Sequence, residues 1–97
     1  MIEVSELSIA GRKALGVRIE MPGSPPLLLA SGEKGVLFCG YLSTDAAEKF
    51  NLAAAVVRGV GSLSELMDKQ ISYYTKEAEK LGVTTGMLGR DALALFL

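Results

Sequence analysis

The chain has 97 residues, with 10 basic and 11 acidic side chains, no histidine and a single cysteine. That length sets one domain, and the charges are interspersed, so no basic stripe exists to neutralise nucleic-acid phosphates. Without histidine, Ser-His-Asp and Cys-His catalysis and any His-ligated metal site are excluded within one chain, and one cysteine makes neither an internal disulfide nor a structural zinc site.

Hydrophobic residues make up 49% of the chain but aromatics only 6%. A chain of this length buries about 60–65% of its unfolded surface, so the apolar excess predicts self-association. The uninterrupted apolar runs, Val36 to Leu42 among them, fall far short of the ~20 residues of a membrane span. Glu3 and Glu6 stand where a signal peptide carries positive charge. A cytoplasmic protein with no membrane partner is expected, and a lone cysteine suits a reducing compartment.

Ile2 and Val4 alternate with polar residues, then Leu7 and Ile9 continue on the other parity, which predicts a strand with a break near Glu6. Ala10-Gly11-Arg12-Lys13 reads as a turn. Leu15, Val17, Ile19 and Met21 alternate beyond it, completing a β-hairpin. Pro22-Gly23-Ser24-Pro25-Pro26 ends that hairpin and lets the chain change direction. Leu27–Ala30 and Val36–Leu42 are apolar at every position, as strands covered on both faces are. The link between them, Ser31 to Gly35, fits a second hairpin.

Ser43, Thr44 and Asp45 offer N-caps for a short helix, Asp45 and Glu48 having capping-box spacing, and Asn51 stops it. Ala53–Val57 is the next strand. Strand, helix, strand makes a βαβ unit with parallel strands. Ser62-Leu63-Ser64-Glu65 is a capping box that opens a long helix, with Leu63, Leu66, Met67, Ile71, Tyr74, Ala78 and Leu81 on one face and Gly82 closing it. A last helix is expected from Gly86 to Phe96, capped by Thr85.

The wording of this order is itself informative. GEKGVLFCGYLSTDAAEKF, then AAAVVRGV, a capped helix and the closing GMLGRDAL resemble the YunC family, domain of unknown function 1805. The opening GRKALGVRIEMPGSPPLLLASGEKG is similar to that family's start. The resemblance implies an N-terminal β region that mediates tetramerisation, followed by a mixed α/β body, and it implies no established activity, substrate or catalytic residue.

No GxGxxG, P-loop or EF-hand spacing is present, and no cofactor or metal is expected. Two candidate sites remain. Cys39 is either a reactive thiol, which needs exposure and a lowered pKa, or a small hydrophobe in a covered strand, the commoner fate of a free cysteine. The other lies at the C-terminal edge of the parallel strands. There the Ser43-Thr44 helix start and the Arg58-Gly59-Val60-Gly61-Ser62 segment face one crevice, with amide donors and a guanidinium suited to an anion. The residues assigned to it are Ser43, Thr44, Arg58, Gly59, Gly61 and Ser62, against the reading that they only cap helices and turn the chain. Lys34 reads as a charge at a hairpin tip that discourages edge pairing. Arg90 reads as a solvated or intersubunit ion-pair partner.

The expected fold is α+β: a mixed sheet from N-terminal hairpins plus one βαβ unit, with two C-terminal helices packed on it. Residues 1–31 form the β-rich oligomerisation region and 32–97 the mixed body. The expected role is a homo-oligomeric binding or interaction module, a tetramer before a dimer, holding a small anionic ligand. The alternatives are a small enzyme whose site is completed between subunits by Cys39, Lys34 or Arg58, and a structural subunit of a larger complex.

Overall fold

In the computed structural model, which describes residues 1–97, Ala10 and Gly11 both have positive φ, 52° and 78°. Those values are what a two-residue type I′ hairpin turn requires. The turn joins β1 (Ile2–Ile9) to β2 (Arg12–Met21), paired without interruption from Ile2↔Ile19 to Ile9↔Arg12. The expected break near Glu6 is therefore absent. The change of parity there has another cause: Ile2 and Val4 occupy one face of the sheet, Leu7 and Ile9 the other.

Pro22-Gly23 is a second two-residue turn, with Gly23 at φ 67° and Met21 opposite Ser24. Proline fixes the first turn dihedral and glycine supplies the positive one. The prolines that follow do not redirect the chain; they lie inside β3 (Ser24–Ser31), antiparallel to β2. β4 (Val36–Phe38) returns antiparallel to β3, and β5 (Ala54–Val56) lies parallel to β4. The strand expected to reach Leu42 thus ends at Phe38. β6 (Tyr73–Tyr74) completes a six-stranded sheet whose spatial order follows the sequence, so β1 and β6 are its edges. The class is α+β with a mixed sheet, as the sequence indicates.

The crossover between β4 and β5 contains α1 (Thr44–Lys49). Its N-cap is Ser43, whose hydroxyl accepts from the Ala46 amide, rather than Asp45. Asn51 ends the helix at φ 56°. Ser62 caps α2 (Leu63–Asp68) as expected, accepting from the Glu65 amide. The long helix expected beyond it is divided. Lys69 is extended, Tyr73 and Tyr74 pair with β5, and a new helix, α3 (Lys76–Lys80), starts under the cap of Thr75. The free edge of β5 needs a partner for its backbone groups, and two adjacent tyrosines suit a strand better than a helix. Gly82, at φ 107°, follows α3 as foreseen. The last helix, α4 (Gly89–Leu95), starts three residues later than expected, and Leu88 caps it without a side-chain bond. Thr85 instead meets the Tyr74 hydroxyl at 3.2 Å.

Thr75 is 1% exposed and uses its hydroxyl three times. It donates to the Leu52 carbonyl (2.7 Å) and accepts from the amides of Ala54 (3.0 Å) and Ala78 (3.3 Å). One oxygen therefore ties the end of the crossover, the start of β5 and the start of α3.

The two faces of the sheet are covered unequally. On the inner face Gly16, Ala30, Leu37 and Ala55 oppose one another across β2 to β5, and helices α2 and α4 pack there. On the outer face Val4, Val17, Leu29, Phe38, Val56 and Tyr73 form one row across all six strands. The Tyr73 hydroxyl donates to Glu48 of α1 at 2.9 Å, which puts α1 over the β5–β6 end of this row. That hydrogen bond to a carboxylate, with some burial, raises the phenol above its ordinary pKa. Val56 is 1% exposed beneath α1, while Val4 at the other end is 63% exposed.

On the inner side the packing is backbone against backbone. A Cβ at Gly89 would overlap the Leu66 carbonyl of α2, and one at Gly35 would lie 2.6 Å from both the Ala53 carbonyl and the Phe96 ring. Such overpacking costs about 1–3 kcal/mol or more. We expect Gly89→Ala to lower the unfolding free energy from a urea titration by that amount, while Gly40→Ala, with only the Arg58 side chain nearby at 3.7 Å, shifts it by less than about 0.5 kcal/mol. Equal effects would contradict the close approach of α2 and α4. Thr75→Val, which strands buried backbone groups at about 1–3 kcal/mol each, should be the more damaging change in the same titration.

Candidate functional site

Because β4 and β5 are parallel, both chains leave the sheet at the same end. Cys39-Gly40-Tyr41 follows β4 and Arg58-Gly59-Val60-Gly61 follows β5. Between these segments and the first turn of β3 lies a groove of about 570 Å³ lined by Pro25, Pro26, Cys39, Gly40, Tyr41, Gly59, Val60 and Gly61. The Tyr41 hydroxyl donates to the Pro25 carbonyl at 2.7 Å, which joins the β4 exit to β3 across the groove. Its size falls within the range of small-molecule pockets.

The groove lies at the edge named from the sequence, and the residues named there divide. Gly59 and Gly61 line the groove. Arg58 is exposed, its Cγ beside Gly40, and its guanidinium has no intramolecular partner within bonding distance. Ser43, Thr44 and Ser62 do not line it. The hydroxyls of Ser43 and Ser62 are committed to their own helices, and α1 and α2 have six residues each, which makes weak dipoles. The Gly61 amide is also engaged, donating to Glu65 Oε1 at 3.0 Å. Lys69 bridges this corner, donating to the Gly59 carbonyl at 2.8 Å and standing 3.6 Å from Glu65.

What remains open is a set of backbone donors. The amides of Gly40, Tyr41, Arg58, Gly59 and Val60 have no acceptor within the chain. Val60 is itself 6% exposed, and an unpaired amide in a buried residue is uncommon in folded chains. Gly59, at φ 71°, gives that loop a backbone conformation that favours glycine. Sequence patterning named Gly59 and Gly61 of this lining but not Pro25, Pro26, Gly40, Tyr41 or Val60. The available signal was the paired prolines and the Gly-Tyr step after an apolar strand.

Cys39 sits at the floor of the groove but is 3% exposed, and its Sγ accepts from the Leu28 amide at 3.3 Å. Those surroundings are those of a structural cysteine. No group of three or more Cys, Asp or Glu side chains is placed to hold a metal ion. Lys34 is exposed, away from the groove, and its backbone amide donates to the Phe96 carbonyl at 2.7 Å. Arg90 pairs within the chain with Asp68 of α2, where an intersubunit partner or solvent was expected. No helix is long and apolar enough to cross a membrane.

A small α+β domain with a loop-built groove at the mouth of its parallel strand pair is thus the class defined by fold and site. The chain belongs to the family described as Domain of unknown function (DUF1805), which matches residues 38–96. That span contains both loops of the groove but not the β1–β3 hairpins. The "Uncharacterized protein YunC" of Bacillus subtilis is 27% identical over 97 residues, spanning 96% of this chain and 95% of the relative. A crystal structure of a protein of unknown function from Thermoplasma acidophilum superposes with a TM-score of 0.93 at 27% identity, covering all of this chain and 94% of that one. None of these descriptions attaches an activity.

Burial of the thiol has a measurable consequence. In native protein Cys39 should react with a bulky aromatic disulfide at least about a hundredfold more slowly than in urea, because only thiolate at an accessible position attacks. Comparable rates in the two conditions would restore the reactive-thiol reading.

Proposed function

We propose that the protein is a non-enzymatic, homo-oligomeric binding module of the cytoplasm, assembling through the outer face of β1–β3 and holding a small anionic ligand at the groove. The observation that carries the assembly is the bare end of the outer apolar row. Ile2, Val4 and Leu15 are 66%, 63% and 48% exposed on neighbouring strands. Fully covering side chains of this kind is worth about 1.5–3 kcal/mol each, and contiguous exposed apolar surface marks interaction sites. A second copy presenting the same face is self-complementary, which favours closed symmetry. A tetramer is preferred and a dimer is next. The free thiol at Cys39 supports placement in a reducing compartment.

The anion reading now rests on the unpaired amides and on Arg58 rather than on helix starts. Lack of histidine and burial of the only thiol favour binding over catalysis.

Native mass spectrometry tests the assembly. We expect the mass of four chains, and for Val4→Lys a shift to single chains with unchanged far-UV circular dichroism, since the lysine places a charge at the bare end of the row that a second copy would cover. A wild-type monomer would overturn the proposal.

A further inference from the structure

The groove has a lining that discriminates among anions. Resting on the anion reading, we propose that its ligand is a small monoanionic carboxylate with an apolar body, aromatic or branched, rather than phosphate or another compact dianion. Three observations lead there. First, the groove's volume of about 570 Å³ is far larger than an inorganic anion fills, and a bare ion would leave the walls wet and the binding weak.

Second, the walls are mostly apolar. Pro25, Pro26, Tyr41 and Val60 contribute carbon surface. The Tyr41 hydroxyl is held on the Pro25 carbonyl, which fixes the ring as a wall instead of a free donor. A flat or branched hydrocarbon body gains about 25 cal/mol for each Å² it removes from water there.

Third, the charge balance suits one negative charge. Unpaired amides of Gly40, Gly59 and Val60 supply neutral donors, and Arg58 supplies one unpaired cation. Lys69 is already committed to the Gly59 carbonyl and to Glu65. The Glu65 carboxylate occupies the Gly61 amide at the same rim, so a second charge on the ligand would meet a fixed negative group. The guanidinium fork pairs bidentately with carboxylate and phosphate alike, so the apolar walls and the fixed Glu65 charge are what separate the two.

The test is a titration of the full-length protein, followed by amide nuclear magnetic resonance, with benzoate, acetate and inorganic phosphate as probes at constant ionic strength. Benzoate should bind at least about tenfold more tightly than acetate, shifting the amide signals of Gly40, Gly59 and Val60. Arg58→Ala and Tyr41→Ala should each weaken benzoate by about fivefold or more, Arg58→Ala weakening acetate too and Tyr41→Ala leaving acetate unchanged. Phosphate binding as tightly as benzoate, with the same amides shifted, would overturn the carboxylate class and leave the anion site standing. Shifts confined to other residues would overturn the location. No shift with any of the three would overturn this proposal and the anion reading together.

Discussion

Everything on the inner side of this molecule depends on helices that approach the sheet and each other at backbone distance. Gly89 touches the Leu66 carbonyl, and its own amide donates to the Lys69 carbonyl at 2.9 Å, so α4 begins where α2 ends. At the other end of α4 the Phe96 carbonyl accepts from Lys34, and the Phe96 ring lies over Gly35. A ten-kilodalton chain with few aromatics cannot fill a deep core with bulk, so it brings its layers close and fills the space with Leu, Ala and Val. Three-residue β5 is buried at every position, and in three-residue β4 it is Leu37, on the inner face, that is fully buried.

Much of this was legible in the residues. Turn chemistry located the Ala10-Gly11 hairpin turn but read Pro22 to Pro26 only as a stop, the Ser62/Glu65 spacing gave a true cap, and Asn51 and Gly82 took positive φ where the chain had to stop a helix. What could not be read was long-range. The segment from Leu63 to Leu81 has good helical spacing, yet it breaks because β5 needs an edge partner and Thr75 has three bonds to make at a distance in sequence. Periodicity reports a local preference; the demand of a distant strand for a partner is invisible to it.

The site shows the same division. Parallel pairing of β4 and β5 could be inferred from strand, helix, strand, and it correctly brought the Cys39 and Arg58 exits together. Which polar groups remain free at that junction depends on what the rest of the fold has already used. Ser43 and Ser62 were consumed by their own helices and Gly61 by Glu65, whereas the plain amides of Gly40, Gly59 and Val60 were left over. Residue type named Arg58 and Gly59 among the groups left free, but it could not show that Gly40 and Val60 are left free too.

The sheet also ends differently on its two sides. At one edge β6 is two residues long and turns at once into α3, too short to template another strand. At the other, β1 offers eight residues of backbone free of proline. A body with only one joinable border can be extended just once along its hydrogen-bonding direction. Two such borders meeting about a twofold axis would use each other up, and the merged sheet would then be capped by a blunt β6 at both extremities. Growth into a fibre is closed off by topology, without a charged residue having to guard every strand.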